Sequence, residues 1–377
     1  MSGGSAIYAE VLIQMARTKF RVSLLAVVPL FLLFSFATSA PGQAQTSWVG
    51  LWAASQQRPE PSHALVAGNP ASQNGQPESR AASSPVRAGS VSSPKMAITF
   101  DDLPAHSALP PGETRLEVAT KVIASLRDAQ APPTYGFVNA VRIEEHPADA
   151  AVLRAWRDAG NPLGNHTWSH MNLNQNTLEA FEAEVTRNEP TLQESMNTKN
   201  MKEDWHWFRF PYLAEGDTPA KRAGIRTFFQ QHGYKIAGVT MSFGDYLWNE
   251  PYARCRAKGD DKAVAMLETT YLAAADESIT YYRGLSRTLF DRDIPYVLLM
   301  HIGAFDAEML PRLLQLYRSR GFQFVTLEEA ESDEFYREDT DLSLPPGPDS
   351  LEQAMSARHL PVPPHAAPVP QFDNLCR

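Results

Sequence analysis

A chain of 377 residues, 43% hydrophobic and 20% charged, has room for one large folded domain or two smaller ones. Its formal net charge is −9, and no cluster of Lys and Arg stands out in its body. Sequence-independent nucleic-acid binding needs such clusters, so nucleic acid is excluded as a partner class.

Arg17, Lys19 and Arg21 precede an apolar run over residues 22–37, and small residues follow through Ala40 and Ala44. This is the pattern of an export signal, with cleavage expected after Ala40 or Ala44 and Met15 as an alternative start. The rival reading is a membrane anchor. The run falls short of the ~20 residues that cross a bilayer, so no stable membrane span is expected in the mature chain. Export leads to the periplasm, the cell envelope or the medium. Residues 1–44 are therefore assigned to the signal peptide and what precedes it. Residues 45–94, rich in Pro, Ser, Ala and Gly, read as a flexible linker. The folded body spans 95–335. Residues 336–377, with "SLPPGPDS" and "LPVPPHAAPVPQF", form a proline-rich tail. The two cysteines, Cys255 and Cys376, fit either one disulfide tying that tail to the body or two free thiols.

Within the body, strand-like and helix-like segments alternate. "KMAITF" reads as a first buried strand, and "TRLEVATKVIASLRDAQ" carries apolar residues at helical spacing. "PTYGFVNA" follows as a strand, "ADAAVLRAWRDAG" as a helix ending at glycine, and "TLEAFEAEVTRNEPTLQESM" as a further helix. "HWFRFPY" reads as a strand with its outlet loop, then "TPAKRAGIRTFFQQHG" as helix and "YKIAGVTMSF" as strand. "IPYVLLMH", "AEMLPRLLQLYRSRG" and "FQFVTLEEA" complete the series as strand, helix and strand. Repeated strand–helix units predict an α/β fold, a parallel sheet covered by helices. The number of units favours a closed or incomplete barrel over a small open sheet.

Polar residues gather where these strands stop, and barrel sites lie beyond the C-terminal ends of parallel strands. Asp101 and Asp102 end the first strand, Arg209 follows another, and His301 ends "YVLLMH". In "GNHTWSH", His166 and His170 stand four apart, which on a helical turn puts both rings on one face. Two imidazoles and a carboxylate form a metal-ligand set with positions left for water and substrate. The Asp101–Asp102 pair then has a rationale. Adjacent side chains on an extended segment point to opposite sides, so one binds a cation and the other faces the substrate. The cation offsets the repulsion between them.

"TFDD" at 99–102, "HTWSH" at 166–170, "RFPY" at 209–212 and "LLMH" at 298–301 together resemble the ordered motifs of NodB-type polysaccharide deacetylases, carbohydrate esterase family 4. The resemblance covers roughly 95–330. It implies a distorted or incomplete (β/α) barrel and hydrolysis of N-acetyl groups on a polysaccharide or oligosaccharide, with release of acetate. It further implies one divalent ion, zinc foremost with cobalt, nickel or manganese as alternatives, held by Asp102, His166 and His170. By the same resemblance Asp101 is the general base, Arg209 its partner, and His301 the general acid. The Tyr212 backbone N–H faces the oxyanion, and Leu299 lines the pocket for the acetyl methyl.

The chain departs from that pattern in two places. Leu213 stands where the third motif carries glycine, so a loop of different shape is expected. "TMSFGDYLWN" matches the fourth motif only in part, with Asp245 expected to charge His301 and Trp248 to cover it on the substrate side. The segment 250–293 is read as a lid or as an extra packing layer. His106, His146, His206 and His232 are read as structural or exposed. Two other functions stay open: hydrolysis of O-acetyl or non-sugar amide and imide bonds on the same scaffold, and non-catalytic carbohydrate binding.

Overall fold

A computed structural model describes residues 93–196, 205–365 and 370–377. The expected signal peptide and nearly all of the expected linker lie outside the described residues.

The first strand, β1 (Lys95–Leu103), is buried at every position but its first. That is the burial expected of a parallel strand covered on both faces. Around it lie β2 (Tyr135–Val138), β3 (Leu163–Asn165), β4 (Trp207–Phe208), β5 (Lys235–Ile236), β6 (Tyr296–His301) and β7 (Gln323–Phe324). The hydrogen-bonded order is β5-β4-β3-β2-β1-β6, with β7 pairing the start of β1. Every pairing is parallel. The sheet curls into an open half-barrel, the incomplete form of the expected barrel. Beyond β5 the chain turns back toward β6 through a single parallel bridge, Met241 to Leu298.

That short β5 revises the strand expected over 234–243. Gly238 sits in the gap: a Cβ there would lie 3.2 Å from the Tyr336 ring and 3.3 Å from an Asp339 carboxylate oxygen. The segment therefore passes close under Tyr336, and the strand stops after two residues. The final expected strand is likewise brief, since Leu327–Ala330 is already a helical turn capped by Thr326.

The helices that cover the sheet follow the sequence. α1 (Arg115–Asp128) starts at a capping box in which Thr114 and Glu117 satisfy each other's backbone N–H groups. α2 (Ala150–Asp158) buries Val152, Leu153 and Trp156. α3 (Leu178–Met196) and α4 (Pro219–Gln231) pack on each other beside β3 and β4. α5 (Asn249–Lys258) and α6 (Asp261–Phe290) form the inserted segment. α6 buries Leu267, Tyr271, Ala275 and Ile279, a run at helical spacing, against α5 and α7 (Ala304–Ser319). It is a packing layer and not a lid.

The tail is attached to this layer. α8 (Leu351–Ala357) buries Leu351, Ala354 and Met355 and packs on α6. Cys255 and Cys376 form a disulfide. Arg254 donates to the carbonyls of Phe372 and Leu375, and the Phe372 ring packs against Trp248. Among the described residues no helix is long and apolar enough to cross a membrane.

Candidate active site

The C-terminal ends of β1, β3, β4 and β6 deliver the charged groups to one place. Asp101 lies opposite His301 in the register of β1 with β6. Asp101, Asp102, His166, Arg209 and His301 are all buried. Water is largely excluded, so each charge depends on its protein partners.

The expected opposite orientation of Asp101 and Asp102 does not hold. The β1–β2 register slips between Phe100 and Leu103, and Asp102 takes a left-handed φ of 65°. This irregularity turns both carboxylates to the same side. His166 Nε2 lies 3.7 Å from Asp101 Oδ2 and 3.5 Å from Asp102 Oδ1. A regular strand would have separated them.

The two histidines also converge by another route than a helical turn. β3 ends at Asn165, and Thr167 and His170 adopt φ values of 63° and 61°. The ring centroids end 4.8 Å apart. A left-handed β-branched residue is strained, and such strain persists only where surroundings impose it. Here they do. Asn139 Nδ2 donates to the carbonyls of His166 and Thr167. Asn165 Oδ1 accepts from the Thr167 N–H and from Asn188 Nδ2. Glu184 accepts from both the N–H and the hydroxyl of Ser169. Glu184 and Asn188 belong to the buried face of α3. Sequence reasoning missed this clamp, although two polar residues four apart within an apolar stripe were a readable signal.

Asp102, His166 and His170 offer one ligand atom each within 4.8 Å of one another. His166 Nδ1 donates to the Arg209 carbonyl at 2.7 Å, which leaves Nε2 as the ligand atom. Asp102 Oδ1 and His166 Nε2 are buried with no hydrogen-bond partner. Burial and the nearby cationic groups hold the His166 pKa down at about 4. Burial and the His166 neighbour hold His170 at about 3 despite Asp102. Burial alone would raise Asp102, but His170 and the His106 hydrogen bond outweigh it and leave that carboxyl well below its usual range. Neutral imidazoles and an ionised carboxylate fit a divalent cation.

Beside this triad stand two ion pairs. Arg209 Nη1 lies 3.3 Å from Asp101 Oδ1, and its other nitrogens donate to Thr99 Oγ1 and to the carbonyls of Ala237 and Gly238. Burial raises the Asp101 pKa to about 6 against the pull of Arg209 and His301. His301 Nδ1 lies 3.0 Å from Asp245 Oδ1, while Asp245 Oδ2 accepts the His301 backbone N–H at 2.7 Å. Burial opposes the charge on His301, yet Asp245 dominates and lifts its pKa to about 10. The site therefore holds one carboxylate poised near neutrality and one histidine kept protonated.

The remaining expected residues fall as follows. Tyr212 (φ 60°) packs its ring 4.6 Å from His170, and burial pushes its phenol up to about 12. Leu213 takes φ 52°, the left-handed conformation that glycine adopts freely, and its side chain is exposed. Leu299 is buried two residues before His301, on the same face of β6. Trp248 does not cover His301. It is fully buried against Tyr271 and Phe372, with Nε1 donating to Thr270. The rings beside His301 are those of His106, at 4.8 Å, and Tyr246, at 5.4 Å. His106, read as structural or exposed, belongs to the site: its Nδ1 is 2.8 Å from Asp102 Oδ2. A cavity of about 410 Å³ lined by Phe290, Arg292, Phe335 and Arg358 shares no residue with this cluster.

A half-barrel with two histidines and an aspartate next to an Asp–Arg pair and a His–Asp pair defines a metal-dependent hydrolase. The family model described as "Polysaccharide deacetylase" matches residues 88–235. No curated protein matches the chain. Among solved structures, the family 4 carbohydrate esterase from Streptomyces lividans is similar at 17% identity and a TM-score of 0.40, over 64% of this chain and 97% of that one. The chitin deacetylase from Colletotrichum lindemuthianum is similar at 20% identity and a TM-score of 0.43, over 64% and 88%. A family 4 pseudoenzyme from Bacillus anthracis is similar at 13% identity and a TM-score of 0.42, over 63% and 66%.

Proposed function

We propose that this chain is an exported, metal-dependent deacetylase that removes N-acetyl groups from a polysaccharide or oligosaccharide. The observation that carries the reading is geometric: an Asp101–Arg209 pair and a His301–Asp245 pair stand beside the Asp102–His166–His170 triad. A general base must be deprotonated and a general acid protonated at one pH, and Asp101 and His301 meet that condition between about 6 and 10.

A divalent ion held by the triad supplies Lewis-acid character and lowers the pKa of water at the site. Two nitrogens and one carboxylate oxygen suit zinc, and the same donors accept cobalt, nickel or manganese. Asp101, oriented by Arg209, takes the proton of the attacking water. In this reading the Tyr212 N–H stabilises the oxyanion, and Leu299 lines the acetyl-methyl pocket. His301 gives its proton to the sugar nitrogen as the C–N bond breaks, and Asp245 keeps that proton available. An amine leaves poorly unprotonated, so a histidine kept charged by Asp245 serves an amide more than an ester. The disulfide and the N-terminal apolar run both support an oxidising, extracytoplasmic location.

Acetate release from matched N-acetylated and O-acetylated glycans tests the reading. Preferential release from the N-acetylated set is expected. Release from O-acetyl esters alone contradicts the amide assignment, and release from neither, by a folded protein carrying one metal per chain, contradicts carbohydrate deacetylation.

A further inference from the structure

We propose that His106 is a positioning residue of the metal site: it fixes which oxygen of Asp102 faces the two imidazoles. The inference rests on Asp102 being a ligand. His106 Nδ1 stands 2.8 Å from Asp102 Oδ2, and a ring nitrogen that bonds a carboxylate oxygen carries the hydrogen. The other oxygen, Oδ1, lies 3.5 Å from His166 Nε2 and 3.4 Å from His170 Nε2. The two oxygens of one carboxylate are thus divided, one toward the triad and one toward His106. Asp102 needs that restraint because its backbone sits at φ 65° in an irregular strand end.

His106 is itself held in place. The chain turns back after Asp102, with the Ala105 N–H donating to the Asp102 carbonyl. Arg115, the first residue of α1, donates to the carbonyls of His106 and Ser107. The His106 ring then packs 4.8 Å from the His301 ring. Its Nε2 is buried with no hydrogen-bond partner. An unsatisfied buried nitrogen destabilises a fold, and an apolar side chain of similar size avoids that cost. The bond to Asp102 is what a histidine adds at this position. Outer partners of metal ligands set ligand orientation and affinity in this way.

The test is zinc affinity of the full chain, measured by competition with a chromophoric chelator, for the parent, His106→Ala and His106→Asn. Loss of an outer hydrogen bond is expected to weaken zinc binding about 10- to 100-fold in His106→Ala. An asparagine amide N–H replaces Nδ1–H, so His106→Asn is expected to stay within about threefold of the parent. Affinity in His106→Ala equal to the parent, or a folded His106→Asn as weak as His106→Ala, overturns the proposal. If His106→Ala fails to fold, the asparagine variant decides alone: parent-like affinity supports the positioning role, and alanine-scale weakening overturns it. A parent chain that binds no zinc removes the metal site itself, and this proposal with it. Tight parent binding with indifferent His106 variants leaves the site standing and removes only the role of His106.

Discussion

His301 shows how one neighbour sets the chemistry of a side chain. Burial by itself lowers a histidine's pKa, yet Asp245 reverses the sign by accepting from both the ring and the backbone N–H. The folded-state pKa rises from 6.5 to about 10. The stabilisation from holding that proton is complete below about pH 6.5 and fades as pH rises toward about 10. Asp245→Asn is expected to move the alkaline limb of the kcat/KM profile down by more than one pH unit, and a limb that stays in place contradicts the pairing. The convergence of Asp101, Asp102, His166, His170, Arg209 and His301 was legible because each sits at a motif or strand end. His106 was not legible: nothing in "DDLPAH" reveals that the chain doubles back to return His106 to Asp102. Trp248 was misread for the opposite reason, since a tryptophan near a site residue in sequence was buried in a neighbouring layer.

At the scale of elements, the motifs were placed correctly while the local geometry argued for them was wrong. Strand alternation and helical spacing both assume regular backbone. Asp102, Thr167 and His170 are left-handed, and the site depends on that irregularity. Side chains elsewhere hold it, above all Asn188, which donates to Val138 and to Asn165 and accepts from the Ala140 N–H. Its local trace is the pair Glu184 and Asn188 within the apolar stripe of α3. Asn188→Ala is expected to destabilise the chain by about 1–3 kcal/mol, because several buried polar groups lose their partner. It is also expected to weaken metal affinity, as the "HTWSH" loop loses its anchor. Thermal melting and metal competition on the same variant check both effects. A loss of stability without any loss of affinity separates the clamp from the site.

At the scale of the molecule, alternating strand and helix segments were enough to give a parallel α/β fold and its helical cover. They were not enough to show how far the sheet closes. β4 and β5, two residues each, and the passage of Gly238 beneath Tyr336 have no periodic signature. The inserted helices and the tail were equally ambiguous in sequence, and packing against α6 and α7 resolves them into one layer. The disulfide closes a loop of 121 residues between α5 and the tail. Replacing both cysteines, Cys255→Ala with Cys376→Ser, is expected to cost about 2–5 kcal/mol and to lower the melting temperature, while activity at low temperature persists. Loss of activity in a chain that still melts cooperatively implies instead that the tail supports the Asp245–Trp248 turn.

The central claim is that catalysis needs the triad's metal and the Asp101 carboxylate separately. The most direct measurement is acetate release as zinc is titrated into chelated enzyme, for the parent and for Asp101→Asn. The parent is expected to recover activity up to one equivalent per chain. Asp101→Asn is expected to bind the same equivalent and turn over at least about 100-fold more slowly, the lower range for loss of a general base. Acetate release that survives full chelation, or equal turnover by Asp101→Asn and the parent, contradicts the account.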